Sequence, residues 1–311
     1  MNALNHGFEY QMCLGSDAAG LQVIDYLARC YSAFTRKEWL ARIHSGRVLL
    51  DGVPVREDHI LQPGRTLSWV RPPWQEPEVP CSFAILYEDE YLLGVAKPSG
   101  LPTLPGGGEF LENTLLSLVR RHYPQASPMH RLGRGTSGVV LFALNRYAGS
   151  EISRAWRSGE VLKIYRTLVS GWPKEDCFAV DVPIGPVPHP VLKTIHGATQ
   201  SGKPAHSEVK VLERRASSSL LQVRITTGRP HQIRVHLAAA GYPLVGDPLY
   251  TFGGVPGPDS TALPSDLGYH LHGSLIGLHH PAEGKWIEIV CEPPPLLRCG
   301  WNAGYYDSLR T

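Results

Sequence analysis

The chain has 311 residues, 42% of them hydrophobic and 19% charged, with a formal net charge of +2. That length accommodates one small and one large domain, and the composition is that of a globular protein able to bury a sizeable core. So small a net charge excludes bulk basicity as a sign of nucleic-acid binding; any basic surface has to come from local clustering.

In chain order, Leu21 to Ala33 and Lys37 to Ser45 read as short helices. In the second, Trp39, Leu40 and Ile43 fall at helical spacing, with Arg36, Lys37 and Arg42 nearby. Gly46 to Val53 reads as a strand entering an Asp51-Gly52 turn, and Gln62 to Trp69 as a second turn-and-strand unit. Residues 71–80 carry four prolines, which remove backbone donors and disfavour helix, so this stretch is expected to be a stiff linker. It separates a small domain over 12–70 from a large one over 81–295, with 296–311 as a C-terminal tail.

The large domain reads as strands with short helices. Phe83 to Tyr87 and Tyr91 to Ala96 form a strand pair, and Thr114 to His122 a helix capped by Asn113. Val139 to Leu144 is a buried strand leading to a helix around Ser150 to Arg157. Further strands are expected at Val161 to Val169, Glu208 to Leu212, Leu220 to Thr226, His270 to Leu278 and Trp286 to Val290. Arg229 to Ala240 is the strongest late helix, and Tyr250 to Gly268 a long Gly/Pro-rich loop.

The six cysteines are scattered, with no Cys-x-x-Cys pair. That spacing fits neither a zinc site nor a secreted disulfide framework and favours reduced thiols in a cytoplasmic protein. No run of about 18 apolar residues is present, so no membrane span is expected. The first nine residues lack the basic-then-apolar order of a secretory signal. His231 and His236, five apart on a helix, diverge too far to share one metal ion.

Four blocks carry the chemistry. The first is Tyr87-Glu88-Asp89 leading to Lys97-Pro98-Ser99-Gly100-Leu101. The second is the loop His130-Arg131-Leu132-Gly133-Arg134-Gly135-Thr136-Ser137-Gly138. The third is the strand from Val161 to Val169 with Tyr165 at its centre. The fourth runs from Thr227 to Leu237 and continues through Gly241 to Tyr250. In this order they resemble the RluA-type RNA pseudouridine synthases over roughly residues 83–291.

The resemblance implies an α/β (α+β) fold with a mixed, mainly antiparallel sheet. It implies isomerisation of uridine to pseudouridine in structured RNA, rRNA or tRNA, by a monomer needing no cofactor or metal. A base in a stem has to be flipped out first. Arg131 would fill the vacated space and Tyr165 would stack on the uracil, although an alternating strand also suits Tyr165 as plain core. His130, Arg134, Thr136 and Lys97 are further substrate-binding candidates, Lys97 and Arg134 for phosphate. Residues 12–70 resemble an αL RNA-binding domain, which would turn Arg36, Lys37, Arg42 and Arg47 towards phosphates; the alternative is an ordinary solvated face.

The loop departs from the family at one position. Where the family carries its catalytic aspartate, this chain has Gly133, which can be neither nucleophile nor acid or base. Arg234, or else Arg229, would have paired with that carboxylate and would now face an unfilled site. A carboxylate from elsewhere, such as Asp247 or Asp89, could reach the pocket, but both positions already fit the family pattern, so neither reads as a recruited substitute. Alternatively the Gly-Arg-Gly loop defines a modified route, or catalysis is lost and a non-catalytic RNA-binding or ribosome-assembly factor remains. Restoring the side chain by Gly133→Asp is expected to raise turnover.

Overall fold

The prolines at 72, 73, 77 and 80 mark where the chain divides: it falls into two units, Met1–Glu76 and Pro77–Thr311. The computed structural model describes residues 4–31, 34–106 and 108–300. Residues 32 and 33 of the first expected helix, and 301–311 of the expected tail, lie outside them.

The first unit is a four-stranded antiparallel sheet and two helices. β1 (Phe8–Cys13) pairs with β4 (Thr66–Arg71), then come β2 (Val48–Leu50) and β3 (Val53–Pro54). β1 places the start of this unit before residue 12, a correction to the expected boundary. Asp51 and Gly52 both have positive φ, as the two-residue turn between β2 and β3 requires. α1 (Val23–Cys30) and α2 (Arg36–His44) bury Val23, Ile24, Leu27, Trp39 and Ile43 against the sheet. A capping box between Thr35 and Glu38 starts α2, each side chain bonding the other's backbone N–H.

In the second unit, β5 (Ala84–Glu88), β6 (Leu92–Lys97), β7 (Ser127–Pro128), β8 (Ser137–Ala143), β9 (Leu162–Ser170), β10 (Cys177–Val180), β13 (Ser207–Arg214), β14 (Ser218–Ile225), β15 (Leu271–His279) and β16 (Trp286–Val290) form one sheet. β11 (Ile184–His189) and β12 (Lys193–Ala198) make a separate hairpin. The main order is β10-β13-β14-β9-β15-β8-β6-β5, antiparallel except where β15 meets β8. The mixed, mainly antiparallel sheet is therefore as expected.

Residues of β8 alternate between two cores, which explains its unbroken apolar run. Val140 and Phe142 meet α3 (Leu115–Arg120), while Val139, Leu141 and Ala143 meet α4 (Arg146–Ser158). α5 (Gln232–Ala239) covers β9, β13 and β14 through Ile233 and Leu237. Tyr165 packs with both the α3 cluster and the α5 cluster, so it marks the ground between those helices.

Two helix starts differ from expectation. Thr114 caps α3 by accepting from the N–H of Ser117, while Asn113 donates its side-chain amide to Pro77. α5 begins at Gln232, because Pro230 precedes it and His231 sits in the left-handed region at φ 56°. Arg229 thus lies outside the helix.

Candidate active site

The loop from His130 to Gly138 leads into β8 and is clamped at several points. Thr103 donates its hydroxyl to the Leu132 carbonyl (2.8 Å) and accepts the Leu132 N–H (3.2 Å). Ser99 bonds the Gly135 carbonyl at 2.8 Å, and the Gly100 N–H bonds the Arg134 carbonyl at 2.8 Å. A turn closes through the Thr136 N–H and the Gly133 carbonyl, 3.0 Å. At the loop's end Gly138 has φ 120° and lies so near Gly273 that a Cβ would come 2.2 Å from its carbonyl oxygen, so only glycine fits where β8 meets β15.

Arg131, Leu132, Gly133, Thr136, Tyr165, Arg229, Arg234 and Tyr269 converge on a cavity of about 150 Å³. A groove of about 520 Å³ shares Arg131, Gly133 and Arg229 and extends to Arg134 and Pro102–Gly106. Arg131 is exposed at the rim. Tyr165 is half-buried, and burial pushes its hydroxyl up to about 12, so it enters as a neutral ring with a donor. The lining, among the described residues, contains no Asp or Glu.

Several expected roles change here. Arg234 is not waiting for a carboxylate: its Nε and Nη2 bond both oxygens of Asp247 at 2.7 Å, and Nη1 bonds the Pro264 carbonyl at 3.0 Å. The pair is shut away, the side chains 3% and 1% exposed. Asp247 is thereby committed. Asp89 is bound to Tyr87, His280 and the N–H groups of Tyr91 and Leu92, and is not part of the lining. Arg229 donates Nε to the Pro204 carbonyl and lines both cavity and groove.

Lys97 is 1% exposed and donates to the carbonyls of Pro98, Leu101 and Arg134, so it braces the loop and has no open path to a phosphate. Burial brings its ammonium down to about 7. His130 lies stacked on Trp156 (5.0 Å between centroids), accepts the Leu141 N–H and is held neutral, burial dropping it to about 3. It supports the loop from behind and is not in the lining. Arg134 bonds the Gly100 carbonyl through Nε, rests 4.9 Å from the Phe110 ring and faces the groove. Thr136 is buried, its hydroxyl 3.3 Å from that of Tyr269.

A family model described as RNA pseudouridylate synthase matches residues 91–239. An uncharacterized RNA pseudouridine synthase of Synechocystis sp. is 43% identical over 277 residues, 88% of this chain and 95% of that protein. RNA pseudouridine synthase 5 of Arabidopsis thaliana is 36% identical over 351 residues, 95% of each chain. The dual-specificity RNA pseudouridine synthase RluA of Escherichia coli is 37% identical over 216 residues, 68% of this chain and 92% of that one. The chain belongs to the RluA family of RNA pseudouridine synthases. Its fold agrees: the solved structure of human RNA pseudouridylate synthase domain containing 1 superimposes with a TM-score of 0.57 at 25% identity, over 76% of this chain and 98% of that one.

In this isomerase family member the cavity lies at the junction of the four sequence blocks, with block one as brace, block two as rim, block three supplying Tyr165 and block four supplying α5. Two members of the site escape sequence reasoning. Asp247 reads from the sequence only as a possible substitute carboxylate, though its place in the same block as Arg234 is a signal for pairing. Tyr269, 4% exposed and lining the cavity, has no signal beyond lying two residues before Leu271-His272. Among the described residues no cluster of three potential metal ligands exists.

In the first unit Arg36, Lys37 and Arg47 are exposed, Arg36 paired with Asp25. Arg42 departs from the expected role. Its guanidinium lies 3.8 Å from the Phe34 ring centroid and within 5 Å of Trp39 and Trp69, with Nη1 buried, so it is a packing element more than a phosphate ligand.

Proposed function

We propose that the protein converts uridine to pseudouridine in structured RNA, either rRNA or tRNA, in the cytoplasm and as a monomer. The observation that carries this reading is the cavity beside Gly133, where the four family blocks meet and where Arg131, Tyr165 and Arg229 surround a space next to an open groove. A flipped uridine would stack on Tyr165, a contact worth about 1–3 kcal/mol. Arg131 at the rim would hold the place it leaves. The first unit would add a phosphate-binding face through Arg36, Lys37 and Arg47, as an αL-type RNA-binding domain. Five free, exposed cysteines suit a reducing compartment.

The test is pseudouridine formation on total RNA from a strain lacking this gene. Sites that appear with the purified chain support the reading; no carbon-linked uridine added at any position would overturn it. A second reading, an RNA-binding or ribosome-assembly factor on the same fold, is favoured by one specific observation. The lining has no carboxylate among the described residues, and the buried arginine that would orient one is bound to Asp247. Under that reading RNA binds and is released unmodified.

A further inference from the structure

Loss of a catalytic aspartate explains why position 133 could become any residue, but not why positions 133 and 135 are both glycine. The space around them is taken by Tyr269. A Cβ at Gly133 would come 3.0 Å from the Tyr269 hydroxyl, and one at Gly135 would come 2.9 Å from the ring carbon bearing it. Arg234, pinned by Asp247, lies 4.1 Å from the ring centroid. The ring is thus held by a fixed guanidinium and the glycine loop. Its hydroxyl lies 3.3 Å from that of Thr136, and both residues line the cavity.

We propose that the Tyr269 hydroxyl, backed by Thr136, is the polar group that touches the flipped uridine where the loop has no side chain, and that Gly133 and Gly135 are the space this tyrosine requires. The inference rests on the reading of the cavity as a uridine pocket. The hydroxyl pair offers a donor and an acceptor to one nucleoside, and rotation of either O–H adapts it to the polar edge presented. A uridine seated there leaves the pair satisfied; an abasic site leaves it to solvent.

The experiment uses the full chain and two RNA probes, a uridine-bulged hairpin and the same hairpin abasic at the bulge. The wild type binds the first more tightly. Tyr269→Phe removes one oxygen and keeps the ring on Arg234, so its melting temperature stays within about 3 °C of wild type. It loses about fivefold or more of the discrimination between probes, the scale of one hydrogen bond. On total RNA from a strain lacking the gene, its single-turnover rate falls about a hundredfold. Gly133→Ala, which crowds the hydroxyl, causes a similar loss, and the double variant is no worse than either single one because both act on one contact. Full discrimination retained by a folded Tyr269→Phe overturns this inference and leaves the uridine pocket standing. A wild type that does not distinguish the two probes overturns the pocket and this inference together.

Discussion

Replacing Asp247 by alanine leaves a buried guanidinium without its carboxylate partner. Arg234 is 3% exposed and gives two of its donors to Asp247 at 2.7 Å, keeping only the Pro264 carbonyl once the carboxylate is gone. Breaking a buried pair from one side costs about 3–5 kcal/mol, because the surviving charge has no compensation. Asp247 also accepts the N–H groups of Leu249 and Tyr250, at 2.9 and 3.1 Å, which adds to the loss. For a unit of this size each kcal/mol shifts the midpoint by about 2–4 °C, so the transition should drop by roughly 6–20 °C. Calorimetry of the full chain reads this. The double variant Arg234→Met/Asp247→Leu, which removes both charges, should regain most of the loss. A drop below about 2 °C in the single variant, or a double variant as damaged as the sum of two singles, would refute the claim that this arginine is fixed by Asp247.

Four further outcomes are expected. Gly133→Asp should not raise turnover, against the expectation from the loop sequence: Arg234 is already committed to Asp247 and the new Cβ comes 3.0 Å from the Tyr269 hydroxyl, so a clear gain in a tritium-release assay would contradict this account. Arg36→Ala/Lys37→Ala/Arg47→Ala should weaken RNA binding and flatten its salt dependence, by up to about 0.9 in slope for each phosphate no longer neutralised, measured by filter binding; Arg42 is left intact because it packs on Phe34. Burial lowers Lys97 from 10.5 to about 7, so the unfolded chain holds the extra proton between those values and stability rises with pH across that window, by at most about 5 kcal/mol; three carbonyl acceptors favour the ammonium and make the gain smaller, and Lys97→Met should flatten it in denaturant titrations. His130 and His231, each brought by burial to about 3, stay neutral in the fold while the unfolded chain protonates below 6.5, so stability should fall with pH from 6.5 towards 3, and melts unchanged over that range would count against it.

What the sequence makes legible follows from where local pattern and long-range contact coincide. β8 is readable because both its faces are buried, and α2 because Trp39 and Ile43 keep helical spacing on one side. The stretch 177–198 yields no expected strand, since Pro183, Pro186, Pro188 and Pro190 look like coil; in the structure β11 is half of a two-stranded ribbon, where a strand can carry proline on its unpaired side. Helix ends slip by a few residues where one backbone angle decides, as at His231.

The site is legible as a place and not as a set of contacts. A motif fixes which residues are neighbours along the chain, but not which way each side chain turns. Lys97 and His130 belong to the right blocks yet point into the protein, where one braces carbonyls and the other stacks on Trp156. The glycine at 133 shows the limit most sharply. Along the chain it reads as something missing, because the comparison is with an aspartate. In three dimensions it is space, and the residue using that space is Tyr269, far along the chain, which no local pattern can indicate. A one-atom test therefore bears on the loop and leaves the pocket itself standing: if removing the Tyr269 hydroxyl changes nothing, the Gly-Arg-Gly loop is a vacancy after all, and the polar contacts have to be sought in Arg131 and Arg229.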